Sequence, residues 1–392
     1  MTKLTAIRQA GALALLGFWA TPAMASTVFV TSNADSGPGT FRAAIDQANA
    51  DPTVDEIKFL SDLGTVLLNS SVTFTGAQAL DIDGKGTEIA ASTVGAFDLF
   101  VSSGGGDLRL RRLGFADGAN GIFVSVPATA EGEVSIALRE VEVEDNALFG
   151  VLIDDLTNAS AASISLRVSD SEITGNGLNV ADADGLRVDE GGDGDITARV
   201  DHSEFEGNGA DGLELDEAGA GDVTLIVHHG SFDGNGLYPF DKDDGVDIDE
   251  AGDGTVWFRF VQATVNDNTD DGIDMDEDDA GDMHASMVHV ETSGNGDKGV
   301  NLAENGDGGF LAKINQMTAD ANDDAGLRMR EFDAGDFLAK VKNSAMTNNG
   351  EAGIEVKQVA PGSGLLDLKN VTLEGNLVPI DADGVTVTGN SS

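Results

Sequence analysis

Apolar and polar residues alternate with period two along most of this chain, in short runs broken by Gly, Asp and Asn. From Gly212, Leu213 and Leu215 alternate with Glu214 and Asp216. After the turn Glu217-Ala218-Gly219-Ala220-Gly221-Asp222, Val223, Leu225 and Val227 alternate with Thr224, Ile226 and His228. A third short segment, Ser231-Phe232-Asp233, leads into Gly234-Asn235-Gly236. Alternation of this kind marks a strand with one buried face, and the glycines between runs suit tight turns. The unit is three strands and three turns, with no room for a helix of useful length.

The unit recurs. Gly185, Gly212, Gly245, Gly272, Gly299, Gly326 and Gly353 lie 27, 33, 27, 27, 27 and 27 residues apart, most of them opening a variant of D-G-φ-x-φ-D-E. An asparagine follows each glycine after 23 places, from Asn208 to Asn376, and Asn146 and Asn176 extend that column upstream. A second glycine set, from Gly194 to Gly362, lies nine places on. A fixed period of this size means a solenoid whose repeats bury their apolar faces against one another. Three short parallel strands per repeat predict an all-β parallel β-helix of on the order of 12 turns, about 60 Å long at the usual strand spacing. The asparagines are expected to hydrogen-bond from turn to turn and to occupy the left-handed backbone of a bend.

The ends read differently. Residues 1–25, with Lys3 and Arg8, an apolar run from about Ala10 to Ala20, and Ala23-Met24-Ala25, form a secretory signal peptide, and no later stretch is apolar enough to span a bilayer. Residues 26–60 are expected to cap the coil, and residues 61–392 to form it. Thr40 is placed to cap a helix over Phe41–Ala48, with Phe41, Ile45 and Ala48 on one face, ending near Asp51-Pro52. The stretch Val28 to Phe59 resembles the N-terminal cap of secreted bacterial β-helix proteins of the CSLREA type and the polymorphic-outer-membrane-like group. Gly39 and Ala43 stand in G-T-F-R-A-A-I where those proteins have the Cys and Glu of C-S-L-R-E-A-I. The resemblance implies a right-handed parallel β-helix and a surface or adhesion-type role.

Charge narrows the function. The chain carries 22 Lys and Arg against 69 Asp and Glu, a net charge of −47. That balance excludes nucleic acid as a partner, because such binding neutralises phosphates with Lys and Arg, and it invites cations. With no cysteine there is no disulfide framework. The expected location is secreted or periplasmic.

The acids fall in columns. Four and five places after the repeat glycines stand Asp189 and Glu190, Asp216 and Glu217, Asp249 and Glu250, and Asp276 and Glu277, all read as outward-facing. Two places after come Arg187, Glu214, Asp247, Asp274 and Asn301; one place before come Asp184, Asp211, Asp244 and Asp271. Like charges stacked about 5 Å apart repel by roughly 1 kcal/mol per pair even in water. Calcium, which takes six to eight oxygen ligands, would relieve this. The candidate ligands are Asp189, Asp216, Glu217, Asp247, Asp249, Glu250, Asp274, Asp276 and Glu277.

Two insertions interrupt the period, near Leu178 to Asp182 and at Leu237 to Lys242, and both should project on one side of the coil. Tyr238, Phe240 and Lys242 are therefore the candidate ligand-binding residues, for a polysaccharide or a cell-surface protein. The alternative is a polysaccharide lyase or hydrolase using Asp244, Asp247 and Asp249 with Arg187 or Lys242. Asn268-Thr269-Asp270-Asp271-Gly272-Ile273-Asp274 resembles the N-T-D-G-x-D signature of polygalacturonases, but with one extra Asp and without the accompanying G-H-G and R-x-K elements. On the second strand, Arg199, Arg259, Lys313 and Lys340 share a position beside Trp257, Leu311 and Leu338. That basic and apolar stripe suggests a partner surface. His202, His229, Gln262, His289, Gln316 and Asn343 form a neighbouring column read as a stacked turn rather than a metal site.

Overall fold

The alternating runs stack in register in a computed structural model, which describes residues 26–391 except 158 and 360. The chain is a right-handed parallel β-helix of about 13 turns with a single helix. The expected signal peptide lies outside the described residues. No helix among them is long and apolar enough to cross a membrane.

One face of the coil is a twelve-stranded parallel sheet built from the first strand of each repeat, including Leu186–Glu190, Leu213–Glu217, Val246–Glu250, Ile273–Glu277, Val300–Glu304 and Leu327–Glu331. The second and third strands belong to one hydrogen-bonded sheet of nineteen strands. They join because some segments, such as Met283–Ser293, run unbroken round the corner between the two faces. The third strand expected at Ser231–Asp233 is reduced to single bridges from Ser231 to Glu204 and Thr264.

Inside, the predicted apolar positions fill one continuous core. Leu213, Leu215, Val223, Leu225 and Val227 are all fully buried. Phe205 stacks on Phe232, and Phe310 on Phe337, each pair with ring centroids 4.9 Å apart. The asparagine column is a buried ladder. Each side-chain amide donates to the next rung's Oδ1 at 2.9 to 3.1 Å, from Asn146 to Asn376. Its second proton goes to a backbone carbonyl, as from Asn208 to Ile173 at 3.2 Å, so the buried amide is satisfied. Gly212 shows why the two columns share a period. A Cβ there would lie 2.6 Å from the Gly245 oxygen and 2.8 Å from Asn235 Nδ2. The left-handed residue of this bend is not the asparagine but the one before it, Gly207, Gly234, Asp267 or Asn348, at φ between 57° and 67°.

The helix expected after Thr40 forms. The helix spans Phe41–Ala50, Thr40 Oγ1 accepts from Ala43 N, and Phe41, Ala44, Ile45 and Ala48 are buried. The Phe41 ring lies 5.7 Å from Phe59 and 6.2 Å from Phe100, closing the first rungs of the core. Ser26–Val30 pairs in parallel with Val54–Phe59, so the cap continues the coil.

Candidate functional site

The twelve-stranded sheet aligns the acidic columns with no slip. Arg187, Glu214, Asp247, Asp274, Asn301 and Arg328 stand in one column, and Asp189, Asp216, Asp249, Asp276, Ala303 and Arg330 in the next outward one. Strand alternation sends the following residue inward. Glu190, Glu217, Glu250, Glu277, Glu304 and Glu331 are all buried, with at most 1 % exposure. The expectation that both Asp and Glu columns face outward is therefore corrected. Period two decides the direction, and the turn gives the inward glutamate a partner. Glu190 Oε2 accepts from Gly192 N at 3.0 Å, Glu217 from Gly219 N at 2.8 Å, and Glu250 from Gly252 N at 2.9 Å. That turn is tightly stacked, for a Cβ on Gly219 would lie 1.3 Å from the Gly192 oxygen. Glu217, Glu250 and Glu277 thus lie on the opposite side of the strand from the aspartates and share no ion with them.

The inward glutamates form a ladder of their own. Each keeps at least one oxygen with no protein partner, apart from its neighbours in the column. Burial, and then the adjacent glutamates, push Glu190 and Glu277 up to about 8, Glu250 to about 9 and Glu331 to about 7. These shifts favour protonated Glu190, Glu250 and Glu277 near neutral pH, able to donate within the column.

On the outer face, cations bound the acidic band at both ends. Arg187 donates to Asp189 at 2.6 Å, Glu214 at 2.7 Å and Asp182 at 3.0 Å, pairs with Asp216, and approaches Asp184 at 3.6 Å. A guanidinium so engaged is a fixed counter-ion. At the far end, Lys298 Nζ lies 3.4 Å from Asp271 and pairs with Asp297. Asn301 donates to Asp274 at 2.6 Å and accepts from Arg328 Nε at 2.9 Å.

Between these ends Asp211, Asp244 and Asp247 make no ion pair among the described residues. Oxygens of Asp211, Glu214 and Asp247 all lie within 4.8 Å of one another, close enough to share a metal ion. Asp182, Asp184 and Glu214, and Asp270, Asp271 and Asp297, form similar groups, but Arg187 pairs with all three members of the first and Lys298 with two of the second, whereas of Asp211, Glu214 and Asp247 only Glu214 has a cationic partner, Arg187. Burial, with neighbouring acids adding to it, raises Asp211, Asp244 and Asp247 well above the carboxylate range. Glu214 goes to about 12 and Asp274 to about 8 for the same reasons. Asp216 and Asp276 reach about 6, and each keeps one buried oxygen without a partner. The donor set of Asp211, Glu214 and Asp247 is all oxygen, which fits a hard divalent cation.

Of the predicted ligands, Asp247 stands in the cluster with the least counter-charge. Asp189 and Asp216 belong to Arg187, Asp274 to Asn301, and Asp249 is exposed. Asp211 and Glu214, the partners of Asp247, were legible as column members but not as ligands. The column Asp184–Asp271 also carries structure, since Asp184 Oδ1 accepts from Asp211 N at 2.9 Å and Asp271 Oδ1 from Lys298 N at 2.6 Å. Asp244 is bound likewise to Asp271 N. Lys298, Arg328 and Arg330 were missed. Following each column past its last acid would have found them.

The two insertions flank the start of this sheet, with Asp182 of one and Asp241 of the other both acting on Asp243. Tyr238 and Phe240 meet edge-on at 5.6 Å, with Phe240 86 % exposed. Lys242 Nζ lies 3.4 Å from the Gly296 oxygen, two rungs along.

No family profile matches the sequence, and no curated protein matches it. Solved structures share the architecture. The chain is similar to the periplasmic alginate epimerase AlgG at 13 % identity and TM-score 0.51, covering 85 % of this chain and 77 % of that one. It is also similar to the A-module of the Azotobacter vinelandii mannuronan C-5 epimerase AlgE4, at 15 % identity and TM-score 0.48 over 89 % of this chain and 94 % of the other. A third likeness is to the catalytic unit of a GH87 α-1,3-glucanase from Streptomyces thermodiastaticus, at 14 % identity and TM-score 0.46, covering 92 % and 68 %. At these identities the shared property is the fold.

Proposed function

We propose that this chain is an extracytoplasmic, calcium-dependent polysaccharide-binding β-helix whose acidic face holds the polymer through bound cations. The observation that carries this reading is the convergence of Asp211, Glu214 and Asp247, where Arg187 reaches Glu214 alone and Asp211 and Asp247 make no ion pair among the described residues. Those three residues would hold the ion. Calcium would supply coordination positions for carboxylate and hydroxyl oxygens of a sugar chain. Tyr238 and Phe240, beside the band, offer a ring face for sugar stacking. The likeness to an alginate epimerase supports a carbohydrate polymer as ligand. Co-sedimentation with a polyuronate in calcium and in chelator tests the reading. An increment of retention in calcium over that in chelator, much reduced in Asp247→Asn, is expected; no such increment would overturn it.

A second reading, a lyase or hydrolase on the same band, draws on the separated titration of neighbouring acids, Glu214 near 12 against Asp216 near 6. Lys298 does not serve it as a base. Burial works against its charge, but Asp297 and Asp271 outweigh that and hold it above the ordinary lysine range. Release of uronate oligosaccharides, abolished by Asp244→Ala or Asp247→Ala, would favour this reading over binding alone.

A further inference from the structure

One column of the nineteen-stranded sheet, on its second strands, is basic where the whole molecule is acidic. Arg109, Arg111, Arg139, Arg167 and Arg199 line one concavity of about 650 Å³, together with Ser169, Asp170, Asp201 and His202. After the expected signal peptide the chain has 11 arginines, so nearly half converge on one place. The carboxylates nearby do not use them up. Arg109 and Arg111 share Asp81 at 3.8 and 2.8 Å, Arg167 and Arg199 share Asp201 at 3.5 and 2.7 Å, and Arg139 reaches Glu140 at 3.2 Å. Arg109, Arg139 and Arg167 make no side-chain hydrogen bond among the described residues, and each side chain is about 60 % exposed. A guanidinium offers five donors in a planar fork matched to carboxylates and similar oxyanions. Arg109, Arg139 and Arg167 leave donors free to solvent here.

The concavity is one end of a track. Arg167 and Arg199 are direct neighbours in the ladder, and the same column continues through Ile226, Arg259, Ser286, Lys313 and Lys340. It ends where Lys340 pairs with Asp367 at 2.8 Å. Midway, Trp257 is 52 % exposed and packs on His284 at 4.1 Å. With Ile226, Arg259, Leu311 and Lys313 it lines a second concavity of about 330 Å³, mostly apolar. A half-exposed indole flanked by basic side chains offers an apolar face to a sugar ring while the cations take the ring's acidic groups.

We propose that this face is a calcium-independent binding track for a linear anionic polysaccharide. The spacing selects the polymer. With rungs about 4.8 Å apart, the track presents one cation every one to two rungs, which suits a chain with about one acidic group per sugar. Duplex DNA carries a charge every ~1.7 Å and would meet the repulsion of the −47 molecule at far higher density. The choice of polymer rests on the carbohydrate reading above, but the track owes nothing to calcium.

The test is fluorescence anisotropy of a labelled polyuronate oligosaccharide with the purified protein, in EDTA and over a salt series. Binding in EDTA that weakens with salt is expected. The double change Arg139→Ala/Arg167→Ala should weaken it at least tenfold and flatten the salt dependence. Trp257→Ala should weaken it severalfold and leave the salt slope alone. All three residues are solvent-facing, so unchanged melting curves verify that the variants fold. Failure to bind in EDTA, binding indifferent to these changes, or equal affinity for a neutral glucan or duplex DNA would overturn the proposal. Loss of calcium-dependent binding while the EDTA-resistant binding survives is a failure of the acidic-face reading, not of this one.

Discussion

The same rungs that stack Glu214, Asp247 and Asp274 on one side of the coil carry Ile226, Arg259 and Ser286 on the other. The two faces differ in kind as well as sign. On the acidic face the charges are partly buried, held to neighbouring backbone and left short of cations over about two rungs. On the basic face the arginines stand in solvent with spare donors. A solenoid permits this because each column is set by one position in the repeat, so one face can change while the core and the asparagine ladder do not. The buried face should therefore respond strongly to charge, pH and metal, and the open face should respond only in binding.

The largest effect should come from removing the buried counter-ion. Arg187→Met leaves Asp184, Asp189, Glu214 and Asp216 uncompensated, and unfolding in denaturant should show a loss of about 3–5 kcal/mol. Arg167→Ala on the basic face should leave the midpoint unchanged, and a comparable loss there would erase the distinction between the faces.

Acidity should act next. Carboxyls raised in the folded state bind more protons than in the unfolded chain, so their stabilising contribution is full below pH ~4. It is lost as pH rises through the folded values, which run from about 7 at Glu331 to about 9 at Glu250. Denaturant midpoints in chelator should fall between pH 5 and pH 9 by the equivalent of a few kcal/mol, after allowance for screening. A profile that rises over that range would contradict the protonated glutamate ladder.

Glu277→Gln sharpens the same point. The amide keeps the shape and hydrogen-bonding capacity of the protonated acid without its titration. A gain of about 1 kcal/mol at pH 8.5 and none at pH 5 is expected from denaturation at the two values. Smaller still in stability is Asp247→Asn. It should lower calcium affinity about tenfold, or ~1.4 kcal/mol, and raise the melting temperature of the metal-free protein slightly by easing repulsion with Asp211 and Asp274.

Much of this was legible in the residues. Spaced Gly212 and Asn235 predict the rung, because the asparagine packs where the glycine leaves room. Thr40 and Phe41 predict the capping helix through spacing and a capping side chain. The outward reading of Glu190 and Glu217 failed because charge was allowed to outweigh alternation, and only the stacked turn shows where their hydrogen bonds go. The pairing of Asp211 with Glu214 and Asp247 joins residues one rung apart, which a single repeat does not display. Arg109, Arg111 and Arg139 lie upstream of the strict period, so the basic track was read from Arg199 onward and its densest end went unnoticed.

Calcium titration by calorimetry at pH 7, repeated in two buffers of different ionisation enthalpy, most directly tests the claim that the acidic face lacks its counter-cations. Binding with release of protons is expected, because the carboxyls of Asp211 and Asp247, raised by burial and neighbouring acids, must ionise to take the metal. No heat of binding at millimolar calcium, or binding with no proton release, would contradict it.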